Sequence, residues 1–373
     1  MSKYWNNRAK NIIPYTAGEQ PKDKKFIKLN TNENPYPPSP KVIEAVRKAA
    51  DADLRLYPDP SCTAFRQAAA DRCGVKPEQV FAGNGSDEVL AFAFAAFFEQ
   101  LSNGGAINSN TADYPASSCI LFPDITYSFY PVYANLWQIP FCKIPLAADY
   151  SINCDDYKIP SGGVVFPNPN APTGMPIKLA DILSLAEFLE KQNKVLIVDE
   201  AYAAFGAESA VPYIEKHPNL LTVHTLSKSA SLAGLRFGFA IGSEELIEGL
   251  CRIRDSFNSY TVDRLALAGA TAAISDSAYY NEINRRITET RQRTAKELCS
   301  LGFTVLPSAA NFLFVKVPNI KGSAFFTALR ERGILVRHFN KDRISDFLRI
   351  SIGTDEEMDT VLNACKDILS GSK

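Results

Sequence analysis

Between residues 79 and 241, short apolar runs alternate with stretches whose apolar residues recur every three or four positions. Strands spaced by helix-length connections pair in parallel and carry the helices on both faces. The chain is therefore expected to be α/β, with a large domain built on a mostly parallel, mixed sheet covered by helices. Expected strands are Gln79–Ala82, Cys119–Phe122, Gly162–Phe166, Lys194–Val198, Leu220–Val223 and Phe237–Ile241. Leu179–Leu189 reads as an amphipathic helix through Ile182, Leu185, Ala186 and Leu189. Open α/β sheets place ligand groups at the carboxyl ends of their strands. The polar residues after each run are thus where a site is expected.

The most informative of these is Thr225–Gly238, T-L-S-K-S-A-S-L-A-G-L-R-F-G. Lys228 stands among small residues, where partial desolvation lowers an amine's pKa and makes it a nucleophile toward carbonyl groups. Ser227 and Arg236 supply a hydroxyl and a guanidinium suited to a phosphate. The alternative is a loop lysine in solvent. Upstream, Lys194–Val198 runs into Asp199-Glu200-Ala201-Tyr202, an acid at a strand end; the alternative for Asp199 is a helix cap.

Gly83-Asn84-Gly85-Ser86-Asp87-Glu88 follows a strand and opens a helix that runs to about Phe98. Such a turn makes an anion site from backbone N–H groups and the helix dipole. Glu88 stands where a dinucleotide fingerprint needs its third glycine, so one phosphate fits better than a dinucleotide. A tight turn with no ligand is the alternative. Pro167-Asn168-Pro169-Asn170-Ala171-Pro172-Thr173-Gly174 is a turn held rigid by its prolines.

Residues 1–38 lack sustained periodicity and end in a stiff arm, Asn34-Pro35-Tyr36-Pro37-Pro38. The large domain is expected over 39–258 and a smaller α+β domain over 259–373, with a junction at Asn258–Val262. Ser39-Pro40 opens a helix, and Ser243 with Glu244 and Glu245 opens another that runs to about Ser256. In the smaller domain the helix Tyr279–Ser300 precedes strands at Thr304–Leu306, 310–315, Ile334–Arg337 and Phe347–Ile352. A helix Ser323–Arg332 lies among these strands, and a Thr354/Glu357 capping box starts the last helix. Arg349 lies in an apolar strand, where an unpaired guanidinium is costly, so it needs an anion.

Net charge is −1, which gives no electrostatic case for nucleic acid or an anionic membrane. The 8 cysteines include no C-x-x-C pair and there are only 3 histidines, so no metal site is expected. Met1–Lys10 lacks a signal peptide's apolar core, and Val89–Phe98 is half a membrane span. A cytoplasmic protein is expected.

In order along the chain stand N-E-N-P at 32–35, Y-P-D-P at 57–60, G-N-G-S-D-E at 83–88, P-N-P-N-A-P-T-G at 167–174, D-E-A-Y at 199–202 and the Lys228 stretch. With these motifs the chain resembles the fold type I pyridoxal-phosphate enzymes. Within them it is similar to the class II aminotransferases of the histidinol-phosphate aminotransferase group, from about Asn11 to the C-terminus.

The resemblance implies pyridoxal 5′-phosphate carried by Lys228, with Asp199 on its ring nitrogen and Asn168 and Tyr202 on its ring oxygen. It places Tyr127 flat against the ring. The phosphate would lie on the Gly85-Ser86-Asp87 turn with Ser227, Arg236 and Tyr57, the last reaching across a homodimer interface. Arg349 would grip the substrate's acidic group, and Arg337 and Tyr15 would help hold a phosphate. Implied partners are a small-molecule amino donor, histidinol phosphate, and the 2-oxo acid 2-oxoglutarate. Two departures stand out: His224 where an arginine is expected, and Glu99–Ser118, roughly 15 residues beyond the usual connection length and read as a surface loop or a lid. A threonine-phosphate decarboxylase or an aromatic aminotransferase would use nearly the same residues. A non-catalytic cofactor-binding regulator usually carries a DNA-binding module, for which this chain has no room. A nicotinamide dehydrogenase is disfavoured by the incomplete glycine fingerprint.

Overall fold

The computed structural model describes residues 3–15, 18–20, 26–100 and 116–371. Residues 101–115, most of the expected insertion, lie outside the described residues; Ala116–Ser118 forms one 3₁₀ turn. In chain order the strands are β1 (Ile27–Lys28), β2 (Val80–Gly83), β3 (Ile120–Pro123), β4 (Phe141–Ile144), β5 (Gly163–Pro167), β6 (Leu196–Asp199) and β7 (Leu220–Thr225). Then follow β8 (Gly238–Ile241), β9 (Thr304–Val305), β10 (Phe312–Lys316), β11 (Ile334–Leu335), β12 (Arg337–His338) and β13 (Phe347–Ser351).

The large sheet runs β2-β8-β7-β6-β5-β3-β4. β8 is antiparallel to both β2 and β7, and the remaining neighbours are parallel. The sheet is therefore mostly parallel and mixed, on the expected α/β plan. Alternation along each strand sends neighbouring residues to opposite faces. On β6, Leu196 and Val198 pack with helix Leu179–Glu190, while Ile197 packs on the other side with helices Gly85–Phe97 and Tyr130–Trp137. Asp199 shares parity with Ile197, so its side chain emerges toward the Tyr130–Trp137 helix. On β2 and β8, Val80, Ala82, Phe239 and Ile241 join a third cluster under helices Pro40–Ala49, Thr63–Cys73 and Arg264–Ser275.

The C-terminal sheet runs β12-β13-β10-β9 and is antiparallel throughout. Helices Ser277–Ser300, Gly322–Glu331 and Asp355–Leu369 complete its core. The N-terminal arm is tied here: β1 pairs in parallel with β11, and Ser351 N donates to Leu29 O at 3.0 Å.

Beyond the short helix Asn7–Asn11 and β1 in the N-terminal arm, three elements exceed the sequence expectation. Helix Tyr130–Trp137 and edge strand β4 arise in the aromatic run after Tyr127, where apolar residues on every side hide the period. Helix Arg264–Ser275 starts at Asp263, whose carboxylate accepts from Leu265 N and Ala266 N, both at 2.9 Å. Its alanines make no broad apolar stripe, yet they let it pack closely on the two N-terminal helices of the third cluster.

Candidate active site

A cavity of about 470 Å³ opens at the carboxyl ends of β5, β6 and β7, lined by Pro167, Asp199 and Thr225 where those strands stop. The N-terminal arm and the β12–β13 pair close its outer side through Asn30, Thr31, Arg337 and Arg349.

Lys228 sits on the connection between antiparallel β7 and β8, which is pinned at its base by Leu226 N donating to Phe237 O at 3.0 Å. Its Nζ donates to Thr31 O at 2.9 Å. Burial, with help from the Arg349 charge, pulls the amine down to about 8, so a neutral, nucleophilic form is accessible near neutral pH.

Asp199 is buried, and its carboxylate accepts from Ala201 N at 3.1 Å and from the Tyr130 hydroxyl at 3.2 Å. Desolvation pushes it up to about 6 despite both donors. A buried carboxylate with a phenol and an amide as its partners is arranged for a cation that the chain does not supply. Tyr202 OH accepts from Asn32 Nδ2 at 2.9 Å, which leaves the phenol's own proton free to donate into the cavity. Asn34 Nδ2 donates to Lys228 O at 3.0 Å. The N-E-N-P motif thus braces both residues from across the cavity.

The G-N-G-S-D-E turn opens helix Gly85–Phe97 as expected, and Ser86 and Asp87 line the cavity. Two glycines are required here. A Cβ on Gly238 would meet Ser86 N at 2.2 Å, and one on Gly85, whose φ is +83°, would meet Arg236 Nη2 at 2.7 Å. Arg236 itself has φ 52°, a left-handed backbone that costs of order 1–3 kcal/mol and persists where the surroundings demand it. It turns the guanidinium back onto Asp87 Oδ2 at 2.9 Å and Ser227 Oγ at 3.3 Å. Tyr127 lines the same wall and donates to Asp87 Oδ1 at 2.6 Å. Glu88 accepts from Asn84 N at 2.7 Å, capping the helix where a fingerprint glycine would stand.

At the mouth, Arg337 on β12 and Arg349 on β13 are paired directly across the strands. Like charges so placed repel. Arg349 Nη2 donates to Asn30 O at 2.9 Å, while its Nε is buried with no partner and its guanidinium lies over Phe312 and Phe339. Arg337 also lies over Phe339. Lys341, exposed, extends this cationic rim. Tyr15 lines the cavity and stacks on Phe129, ring centroids 4.2 Å apart.

Asn168 departs from the expectation. It is fully buried, its Oδ1 accepts from Ile177 N at 2.9 Å, and its Nδ2 donates to Glu208 O at 3.3 Å. Its amide is spent on bracing the proline turn, and Ala171 and Pro172 present the turn to the cavity instead. Tyr57 lies outside this cavity, 78% exposed and stacked on Tyr260. His224 is packed on Phe239, pulled down to about 4 by burial and so neutral. Sequence reasoning missed Tyr130 and the bracing by Thr31 and Asn32.

Residues 24–365 match the aminotransferase class I and II family. The chain belongs to that family, whose cofactor is pyridoxal 5′-phosphate. It is 51% identical over 370 residues to a histidinol-phosphate aminotransferase of Clostridium acetobutylicum, covering 99% of this chain and 100% of that one. A second histidinol-phosphate aminotransferase, from Clostridium beijerinckii, is 49% identical over 373 residues, with 100% and 99% covered. In fold it is similar to the histidinol-phosphate aminotransferase of Sinorhizobium meliloti in complex with pyridoxal-5′-phosphate, at a TM-score of 0.84 and 24% identity over 100% of this chain and 99% of that one.

The residues fit that cofactor. The cation-seeking Asp199 suits a protonated ring nitrogen, the Lys228 amine suits an aldehyde, and the glycine-cleared helix N-terminus beside Arg236 suits a phosphate.

Proposed function

We propose that this chain is a pyridoxal-phosphate-dependent histidinol-phosphate:2-oxoglutarate aminotransferase of histidine biosynthesis. The observation that carries the substrate reading is the cross-strand pair Arg337–Arg349, with no anionic partner among the described residues and facing the cavity that holds Lys228 and Asp199. The names of relatives near half identity support the same donor.

When bound, the cofactor supplies a carbonyl for amines and a ring that accepts electrons from the substrate's α-carbon. Lys228 Nζ would hold the cofactor through its carbonyl and, as a free amine, would take the proton from the substrate's α-carbon. Asp199 keeps the ring nitrogen protonated. Tyr202 donates its free phenol proton to the ring oxygen, and Tyr127 fixes the ring plane. Ser86, Ser227 and Arg236 hold the phosphate, on the Gly85–Asp87 turn. At the mouth, Arg349 would take the acidic group of either substrate, and Arg337 and Tyr15 would help hold the donor's phosphate.

We also propose a cytoplasmic homodimer. Leu54, Leu56, Tyr57, Phe257 and Tyr260 are all exposed large hydrophobics, as expected of a covered face, and Tyr57 would reach the second subunit's phosphate site. Among the described residues no helix is long and apolar enough to cross a membrane. The proposed units are the arm 1–38, the large domain 39–258 and the small domain 259–373, with helix Arg264–Ser275 lying back on the large one.

Single-turnover spectra test the reading. Histidinol phosphate alone should bleach the yellow holoenzyme, and 2-oxoglutarate should restore the colour. Carbon dioxide release from an amino acid would favour a decarboxylase. Colour unchanged by every amine would contradict catalysis altogether.

A further inference from the structure

Tyr130 lies at the start of helix Tyr130–Trp137, fully buried among Phe94, Phe122 and the sheet. Phenylalanine would fill that space equally well. The hydroxyl is what distinguishes the residue, and a buried hydroxyl must find an acceptor. It finds Asp199 Oδ2, at 3.2 Å. Ala201 N takes Oδ1. Each carboxylate oxygen is therefore held by one donor from the protein, one on either side, which fixes the rotamer of the group and leaves its remaining lone pairs for the cavity.

Both donors also oppose burial, which alone would neutralise the acid. The Ala201 amide is a backbone group that every residue except proline supplies. The phenol is the donor that depends on this chain's choice of residue.

We propose that Tyr130 is a positioning residue that keeps the Asp199 carboxylate ionised and aimed at the cofactor's ring nitrogen. It touches neither substrate nor cofactor; it acts through Asp199. This rests on the cavity being a pyridoxal-phosphate site.

The test compares the affinity of the apoprotein for pyridoxal phosphate with that for an analogue in which a C–H replaces the ring nitrogen. The ratio of the two dissociation constants isolates whatever Asp199 contributes through that atom. Wild type should prefer the natural cofactor. In Tyr130→Phe the preference should fall about tenfold, the loss of one charge-assisted hydrogen bond. The turnover number should drop with little change in KM for the amino donor. A residue that only packs would shift both affinities together and leave the ratio unchanged, which would overturn the proposal. Tyr130→His and Tyr130→Leu separate donor from volume, should the Phe variant fail to fold. His should restore the preference and Leu should not; equal ratios in the two would also overturn it. A wild-type protein that bound both compounds equally, or neither, would sink the reading of the cavity along with the role of Tyr130.

Discussion

The inner wall of the cavity and its mouth treat charge in opposite ways. Inside, the charged groups are hydrogen-bonded within the protein: Lys228 to Thr31 O, Arg236 to Asp87, and Asp199 to Tyr130 and Ala201 N. At the mouth, Arg337 and Arg349 face each other across β12 and β13, and one guanidinium nitrogen is buried without any acceptor. An inner wall so braced is built to stay in place through many turnovers. A mouth with a spare buried guanidinium donor has a place for an anion, which suits a ligand that comes and goes. The difference supports the proposed reading, in which the resident cofactor lies on one wall and the exchanging substrates meet the other.

The largest expected effect breaks the inner wall at its centre. Lys228→Ala should lower the rate of the donor half-reaction by about 10⁴-fold or more, because both nucleophile and proton carrier are lost. Stopped-flow absorbance with histidinol phosphate measures it. At the mouth, Arg349→Ala should raise the donor and acceptor KM together, by an amount equivalent to about 2–5 kcal/mol for a truncated charge pair. Arg337→Ala should act more weakly and mainly on the phosphate-bearing donor. Steady-state kinetics with each substrate varied separates the two; equal effects on both substrates from both variants would erase the proposed division of labour.

A smaller effect concerns stability. The folded Asp199 carboxyl is raised to about 6, above its ordinary value, so between those values the native apoprotein binds the proton that the unfolded chain releases. Stability from this group is present at low pH and is lost as pH rises through about 6. Asp199→Asn should therefore stabilise the apoprotein at pH 7.5 by on the order of 2 kcal/mol, with the gain vanishing at acid pH. Urea melts across pH measure it. The smallest effect lies on the outer surface. Tyr57→Phe should weaken cofactor binding by about 0.5–1.5 kcal/mol, one hydrogen bond, and only in protein concentrated enough to dimerise.

Much of this was legible from residue order. The strands ending in Pro167, Asp199 and Thr225 follow from short β-branched runs, and Lys228 stands out as a lone amine among small residues. Arg349 was readable as a residue needing an anion and Arg337 came only with the family resemblance, while their direct pairing needs the strand register. What was hidden falls into two kinds. Tyr130 and Asn168 depend on side-chain direction: one phenol turns in to Asp199 while one amide turns away to Ile177 N and Glu208 O. Spacing alone does not report either. Thr31, Asn32 and Asn34 act from far along the chain, through contacts such as Asn32 to Tyr202 that only the closed arm creates. Helix Arg264–Ser275 was missed because alanines pack on either face equally.

Borohydride reduction of the protein loaded with pyridoxal phosphate, followed by peptide mass spectrometry, tests the central claim most directly. A single phosphopyridoxyl mark on Lys228 is predicted. A mark on another lysine with residue 228 unmodified would contradict the account.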